Sequence, residues 1–215
     1  MQRLRVRFRR GEEVKFISHL DITRLWQRAF HRAEIALVYS EGFNPRPRVS
    51  LAAPLPVGVT SEAELMDVFC EKQVSPHWFT GAVNQQLPPG IETRQVYQID
   101  SGQPSLPSQV CFAEYRVEVD TGKGQQDIEA AISGLLSADS LPWQHQRDTG
   151  PRNYDLRALV NDLWLIEWRQ PLCTIGMRLR CDNSGSGRPE QVALALGFTD
   201  YPRSIHRTKL ILKTS

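Results

Sequence analysis

The sequence predicts an α+β protein built from two ferredoxin-like halves in tandem, each with the βαββαβ order of elements. Three observations support this prediction. Residues 2–9 alternate between arginine and apolar residues, with the period of two that is typical of a half-buried strand. Residues 18–33 then show the i, i+3, i+4 apolar spacing of an amphipathic helix. Similar strand and helix signals recur after a stretch at 101–108 that is rich in Ser, Pro and Gly.

The first half, residues 1–100, is predicted to contain a strand, a helix, two extended segments, a helix and a strand. Ser18-His19-Leu20-Asp21 has the form of a capping box, so it marks the start of the first helix. The apolar face of this helix contains Ile22, Leu25, Trp26, Ala29 and Ala33. The later elements are expected at 49–59, 64–71, Ser75 to about Leu87, and 91–99.

Residues 101–110 are predicted to be a linker, and residues 111–215 the second half. Its expected elements are a strand at 112–119, a helix at 125–136, paired strands at 163–169 and 174–181, a short helix at 189–196 and a strand at 206–213. Asp155 is predicted to cap a helix that begins near Leu156, which would leave Arg152, Tyr154 and Arg157 available to a ligand.

The composition is that of an ordinary globular protein, with 215 residues, 40% hydrophobic and 23% charged. No apolar run is long enough for a transmembrane helix, and no apolar segment follows the basic N-terminus as in a signal peptide, so a cytoplasmic location without membrane contact is expected. The four cysteines are scattered and form no CxxC pair, which disfavours a zinc site or a disulfide framework. We expect neither a metal nor a cofactor.

Positive charge is concentrated near the N-terminus, where residues 1–50 hold eleven Lys or Arg against five Asp or Glu. The apolar parity of the first strand would face the helices, and its four arginines, Arg3, Arg5, Arg7 and Arg9, would line the open face of the sheet. Phosphate is a natural partner for such a row, because the planar guanidinium matches its oxygens. The alternative is a solvated edge, or a row that pairs with carboxylates on neighbouring strands.

A loop with the sequence YSEGFNPRPRVS, residues 39–50, presents two further arginines on a stiff support. Pro45 and Pro47 restrict the backbone, and each also biases the residue before it, Asn44 or Arg46, toward extended conformations. Gly42 is expected to supply a turn, as is Gly58 beyond the loop. The prediction is that Arg46 and Arg48 clamp a polyanion and that Phe43 stacks on a base or anchors the loop. A proline-rich connection with incidental arginines is the alternative.

Several motifs resemble the radical-SAM-linked protein family, a domain of unknown function. They are the SHLD helix start, YSEGFNPRP, PLPVGV, the Ser61 and Glu64 pair within residues 15–68, and YDLRALV at 154–160. Members of that family lie beside, or are fused to, radical SAM proteins of the cobalamin-dependent type. The resemblance therefore implies an accessory role in RNA metabolism with a radical SAM partner. Because this chain has no CxxxCxxC motif, the radical chemistry itself would belong to the partner.

The function predicted from these observations is a non-catalytic protein that binds RNA, either tRNA or rRNA, in support of a radical SAM enzyme. One alternative is a metal-independent RNA endonuclease, similar to CRISPR repeat-RNA enzymes, with His19 as general base beside Lys15 and Arg46. Another is a protein-only adaptor that docks on the radical SAM partner. The predicted RNA-binding residues are Arg3, Arg5, Arg7, Arg9, Lys15, Arg24, Arg28, Phe43, Arg46, Arg48, Arg152 and Arg157.

Overall fold

The computed structural model describes residues 1–147 and 150–213. The chain divides into two compact units, Met1–Val110 with Leu212–Ser215, and Cys111–Ile211. Residues 148–149 and 214–215, which belong to the predicted second half, lie outside the described residues. The stretch 101–110, predicted as a linker, lies within the first unit. The α+β class is confirmed.

The first unit follows the predicted order of elements. They are β1 (Gln2–Arg10), a 3-10 turn (Glu12–Val14), α1 (His19–Arg32), β2 (Val49–Leu51), β3 (Thr60–Cys70), α2 (Pro76–Asn84), β4 (Ile91–Ile99) and the short α3 (Leu106–Gln109). The strands lie in the order β4-β1-β3-β2, and every neighbouring pair is antiparallel.

Both predicted helix starts in this unit are confirmed by their caps. The Ser18 hydroxyl accepts a hydrogen bond from the Asp21 N–H at 3.2 Å, and the Ser75 hydroxyl accepts one from the Trp78 N–H at 3.1 Å. The predicted extended segment at 49–59 is wrong beyond Leu51. Its prolines lack an N–H for the ladder, so regular pairing stops early.

An aromatic cluster fills the core between the sheet and the two helices of the first unit. The ring of Trp26 lies 4.9 Å from that of Phe8 on β1 and 5.5 Å from that of Phe30. Phe30 continues the contact to Phe79 of α2 at 5.8 Å. Burial of several large rings fixes α1 against β1, and so it also fixes the direction in which the outer face of α1 points.

The second unit contains the predicted paired strands and an additional hairpin. Its elements are β5 (Val110–Asp120), α4 (Gln125–Ser137), β6 (Pro142–Arg147), β7 (Gly150–Asp155), a 3-10 turn (Arg157–Leu159), β8 (Val160–Arg169), β9 (Leu172–Asp182), β10 (Gly185–Ser186), α5 (Pro189–Ala195) and β11 (Ser204–Leu212). Strand β9 lies antiparallel between β5 and β8, and β11 neighbours β5 on its other side. Strands β6 and β7 form a separate two-stranded sheet.

The helix predicted near Leu156 is present only as a single 3-10 turn, Arg157–Leu159. Asp155 ends β7, and its carboxylate accepts hydrogen bonds from the N–H groups of Leu141 at 2.8 Å and Arg157 at 3.0 Å. Asp155 thus links the β6-β7 hairpin to the 3-10 turn, and β8 follows that turn directly. No helix in the described part of the chain is long and apolar enough to cross a membrane.

Candidate nucleic-acid interface

The row of arginines on β1 does not form one open surface. Arg3 and Arg5 are buried, and both bind the fully buried carboxylate of Asp67 on β3. The Nη2 of Arg3 donates to Asp67 Oδ2 at 2.6 Å, and the Nε of Arg5 donates to Asp67 Oδ1 at 2.8 Å. Burial alone would lower the pKa of Arg5, but the hydrogen bond and the charge of Asp67 outweigh it and raise that pKa.

This face of the sheet is covered by the stretch that follows β4. Arg3 donates to the carbonyls of Gln103 at 2.6 Å and Pro104 at 2.8 Å, and Leu106 is fully buried. The expectation that Arg3 and Arg5 line an open face is therefore wrong, and the alternative of pairing with a carboxylate on a neighbouring strand is correct for them. Both guanidinium groups are structural, because each donates two hydrogen bonds to the Asp67 carboxylate and Arg3 also donates to two main-chain carbonyls.

The remaining arginines of β1 differ from one another. Arg7 is exposed and Arg9 is half-buried. Arg10 is buried, and its guanidinium donates to the main-chain carbonyls of Val14, Lys15 and Ile17. Irregularities in strand pairing on both sides of Phe8 break the alternation here, so parity no longer separates exposed from buried residues. Of the predicted row, Arg7 remains openly available.

The loop at 39–50 is closed at its neck by three hydrogen bonds. The N–H of Ser40 donates to the carbonyl of Arg46 at 2.8 Å, and the N–H of Arg46 donates to the Ser40 hydroxyl at 3.0 Å. The N–H of Arg48 donates to the carbonyl of Val38 at 2.7 Å. These bonds, together with the two prolines, hold residues 41–46 as a defined exposed protrusion.

At the tip of this protrusion, Gly42 has a φ of 117° and Phe43 is fully exposed. The positive φ agrees with the predicted turn, as does the φ of 85° at Gly58. A phenyl ring that touches no core cannot serve as an anchor for its own loop. Phe43 is therefore free to stack, and Arg46 is exposed on the same loop.

Arg48 is positioned differently from Arg46. Its guanidinium lies over the ring of Phe69 on β3, 4.3 Å from the centroid, and Arg3 lies 5.3 Å from the same centroid. Stacking orients the planar group and leaves its hydrogen-bonding edge accessible, since Arg48 is exposed. The contact between Arg48 and Phe69 is not predicted from the sequence. The alternation of residues 64–71, which indicates the strand that carries Phe69, is the signal that could have suggested it.

A groove of about 580 Å³ runs beside the outer face of α1. Arg24, Arg28 and Arg32 line it on the helix, and residues 85–88 line it after α2. Near its end, Arg24 pairs with Asp21 at 3.2 Å. The pKa of Asp21 is lowered, first by the hydrogen bond from the Ser18 hydroxyl and then by Arg24 and Arg28. Arg24 and Arg28 were predicted to bind RNA, whereas Arg32 and the residues after α2 were not.

The three residues of the endonuclease alternative, His19, Lys15 and Arg46, do not contact one another through the hydrogen bonds and ion pairs of the described residues. His19 opens α1 and is half-exposed, while the Lys15 ammonium binds Glu12 at 2.6 Å and lies over the Phe16 ring. Within the described residues, no hydrogen bond or ion pair links the side chains of His19, Lys15 and Arg46. The structure adds no support to a base, a cation and a phosphate clamp acting at one point.

The two predicted arginines of the second unit have different environments. Arg152 is exposed on β7. Arg157 donates to the carbonyls of Val160 at 2.6 Å and Leu136 at 2.9 Å, so it joins the end of α4 to the start of β8. The expectation that Arg157 is available to a ligand is wrong, because its terminal nitrogens satisfy main-chain acceptors.

The four cysteines are free, and burial raises the pKa of Cys70 and of Cys173 to about 11. Among residues 1–147 and 150–213, no group of three or more His, Cys, Asp or Glu side chains could hold a metal ion.

Comparison with known proteins gives a family and a set of similar folds. Residues 3–189 match the family model described as "Uncharacterized protein conserved in bacteria (DUF2344)". No curated protein matches the chain. A crystal structure of a Cbf5-Nop10-Gar1 complex is similar over 96% of this chain, with a TM-score of 0.53 and 8% identity.

Two further structures are similar over nearly the whole chain. They are an archaeal box H/ACA sRNP Nop10-Cbf5 complex and an H/ACA RNP bound to a substrate RNA containing 2'-deoxyuridine, each with a TM-score of 0.48 and 9% identity. The chain spans about half the length of these matched chains, 47–48%. At 8% identity the first likeness shows a shared fold and nothing about chemistry.

Proposed function

Because this chain belongs to the DUF2344 family of proteins conserved in bacteria, we propose its function from its own surface: it is a non-catalytic, cytoplasmic RNA-binding accessory protein. The observation that carries the proposal is the protrusion at 41–46. It presents a fully exposed phenyl ring at Phe43 and an exposed guanidinium at Arg46 on a loop whose neck is hydrogen-bonded. Aromatic stacking with phosphate contacts is the usual chemistry of single-stranded RNA recognition.

The protrusion suits an unpaired base better than a duplex. An exposed ring on a stiff loop can accept a splayed base at little cost in loop entropy, and the neighbouring guanidinium can hold the adjoining phosphate. Arg48, oriented by Phe69, and Arg7, which is exposed, supply further charge for the backbone. Arg152, which is exposed on the second unit, is proposed as a separate RNA contact. Loops and ends of tRNA or rRNA offer such unpaired bases.

A binding assay with matched variants tests this proposal. We expect Phe43→Ser to weaken binding of a labelled tRNA or rRNA fragment by about 1–3 kcal/mol, the range for one stacked base. Arg46→Ala should weaken it by about 1.5–3 kcal/mol, the range for hydrogen bonds to charged groups. The controls are Tyr201→Ser and Arg94→Ala, an exposed aromatic and an exposed arginine outside the protrusion. If the loop variants and the controls bind RNA equally well, the proposal fails.

The proposal has two more specific parts, the fold of each unit and the identity of the protein partner. Each unit is proposed to be a ferredoxin-like fold, and the orders β4-β1-β3-β2 and β11-β5-β9-β8 support this. The partner is proposed to be a radical SAM enzyme, on the basis of the SHLD, YSEGFNPRP and YDLRALV motifs. Gel filtration with a purified radical SAM protein from the same organism tests the second point, and separate elution of the two would contradict it.

One surface favours protein docking as a second candidate function. Phe16, Leu20 and Val57 are each more than half exposed. The hydrogen bond from the Gly58 N–H to the Lys15 carbonyl, at 2.8 Å, brings the two segments that carry them together. Exposed apolar residues grouped in this way are typical of protein contacts. Co-elution with the radical SAM partner that survives nuclease but is lost in Phe16→Ser would favour the adaptor.

A further inference from the structure

We infer that the groove beside α1 is a binding site for a row of phosphate groups. The three arginines that line it, Arg24, Arg28 and Arg32, are spaced four residues apart on one helix. Such residues lie on one face, and each step advances about 6 Å along the helix axis. The guanidinium groups therefore form a line that matches successive charges on a chain better than a single compact anion.

The positive charge of the three arginines is only partly neutralised by carboxylates. Asp21 pairs with Arg24, but Arg28 and Arg32 have no ion pair within the described parts of the chain. Like charges at i, i+4 destabilise a helix, so an arginine row without carboxylates opposes the stability of α1. An anionic ligand that lies along the row removes this repulsion and gains a charge-assisted hydrogen bond at each step.

The opposite wall makes the surface a groove rather than an exposed helix face. Gln85 and Gln86 contribute side-chain amide groups to this wall, and Leu87 and Pro88 contribute apolar surface, to which Leu25 adds from α1. The last carbonyls of α2, at Gly81, Val83 and Asn84, already accept hydrogen bonds from the N–H groups of 85–87. The side-chain amides of Gln85 and Gln86 are therefore not needed to cap α2 and can donate to phosphate oxygens. The apolar surface limits access of water and strengthens the ion pairs.

Two sources could supply a row of phosphates. One is the backbone of an RNA strand, in which case this inference rests on the proposed function and adds a second contact surface to the protrusion. The other is a linear oligophosphate. The shared chemistry is a flexible chain of phosphate groups, and the two sources are separated by the choice of probe.

The test compares full-length Arg28→Gln/Arg32→Gln with a matched control, Arg94→Gln/Arg203→Gln. The control removes the same charge from exposed arginines that pair with Glu92 and Asp120. One probe is a short fluorescent single-stranded RNA measured at several salt concentrations, and the other is tripolyphosphate measured by calorimetry. Both double variants should melt close to the wild type, because the substituted side chains are exposed and the repulsion relieved in the groove variant is small.

If RNA lies in the groove, the groove variant should bind it at least about tenfold more weakly than the control. The slope of log affinity against log salt should also fall by about 1.4, which is about 0.7 for each lost contact with a single strand. If the ligand is an oligophosphate, the groove variant should lose tripolyphosphate binding and keep its affinity for RNA. Either result supports the site.

The inference is overturned if the groove variant and the control bind both probes as the wild type does, or if the wild type binds neither. Loss of RNA binding in Phe43→Ser but not in the groove variant, with tripolyphosphate binding unchanged, removes the groove and leaves the proposed function intact. If the wild type binds tripolyphosphate through Arg28 and Arg32 but binds no RNA, the groove stands and the proposed function fails.

Discussion

Asp67 binds two buried guanidinium groups at once, and this arrangement makes Arg3 and Arg5 structural residues. The alternation of residues 2–9 predicts a strand and identifies its apolar face correctly. It contains no information on whether the other face is covered, because a period of two reports parity and not burial. The residues that cover it, 103–109, are separated in sequence from β1 by two helices and three strands.

Removal of Asp67 should therefore be severely destabilising. Asp67→Ala leaves Arg3 and Arg5 buried without their carboxylate, which costs about 3–5 kcal/mol in comparable ion pairs. Urea unfolding monitored by tryptophan fluorescence measures the change. The matched control is Glu71→Ala, an exposed carboxylate next to the same strand, which should change stability by less than about 0.5 kcal/mol. A loss below about 1 kcal/mol for Asp67→Ala would show that the cluster is not structural.

At the scale of elements, local signals predicted most helices and strands but not the loops that shape the sites. Strand β4 was predicted at 91–99 with its observed bounds, and Ser18 and Ser75 marked both helix starts. The hairpin of β6 and β7 was missed because PWQHQR lacks an alternating apolar face. The YSEGFNPRPRVS loop was identified as stiff and basic, but its hydrogen-bonded neck depends on the fold around Val38 and Ser40.

The protrusion gives a prediction that separates backbone strain from lost contacts. Gly42 has a φ of 117°, and in the described chain nothing lies within 4 Å of the position of an added Cβ. Gly42→Val should therefore strain only the backbone, at a cost of about 1–3 kcal/mol, and should weaken RNA binding by disturbing Phe43. Gly122→Val is the control, because that site is equally open and lacks a positive φ. Equal melting temperatures for the two variants would mean that the loop adopts another conformation.

For the whole molecule, the charge distribution predicted which part of the chain is basic but not which of its charges are exposed. The excess of positive charge in residues 1–50 includes Arg3, Arg5 and Arg10, which the fold uses internally. The exposed charge that remains includes Arg7 on β1, Arg46 on the protrusion, Arg48 beside it, and the arginines along α1. The groove beside α1 needs residues 85–88 from after α2, and no local pattern could place them opposite Arg28 and Arg32. Tertiary packing alone brings those segments together.

Two buried thiols should make global stability fall at alkaline pH. The pKa of Cys70 and of Cys173 is raised from 9.0 to about 11 by burial. The unfolded chain therefore loses these protons near pH 9, while the folded chain retains them, and this favours unfolding as pH rises. The stabilisation from the neutral thiols is fully present below about pH 9 and is lost on the way to about pH 11.

The comparison that isolates this effect uses wild type and Cys70→Ala/Cys173→Ala, unfolded in urea from pH 7 to pH 11. The double variant should be less stable at pH 7 because the substitutions leave small cavities. Its deficit should shrink above about pH 9, by at most about 1.4 kcal/mol per pH unit for each thiol, because only the wild type loses stability through these groups. Other groups that titrate in this range cancel in the difference. A deficit that stays constant with pH would mean that the two thiols ionise equally in the folded and unfolded chains.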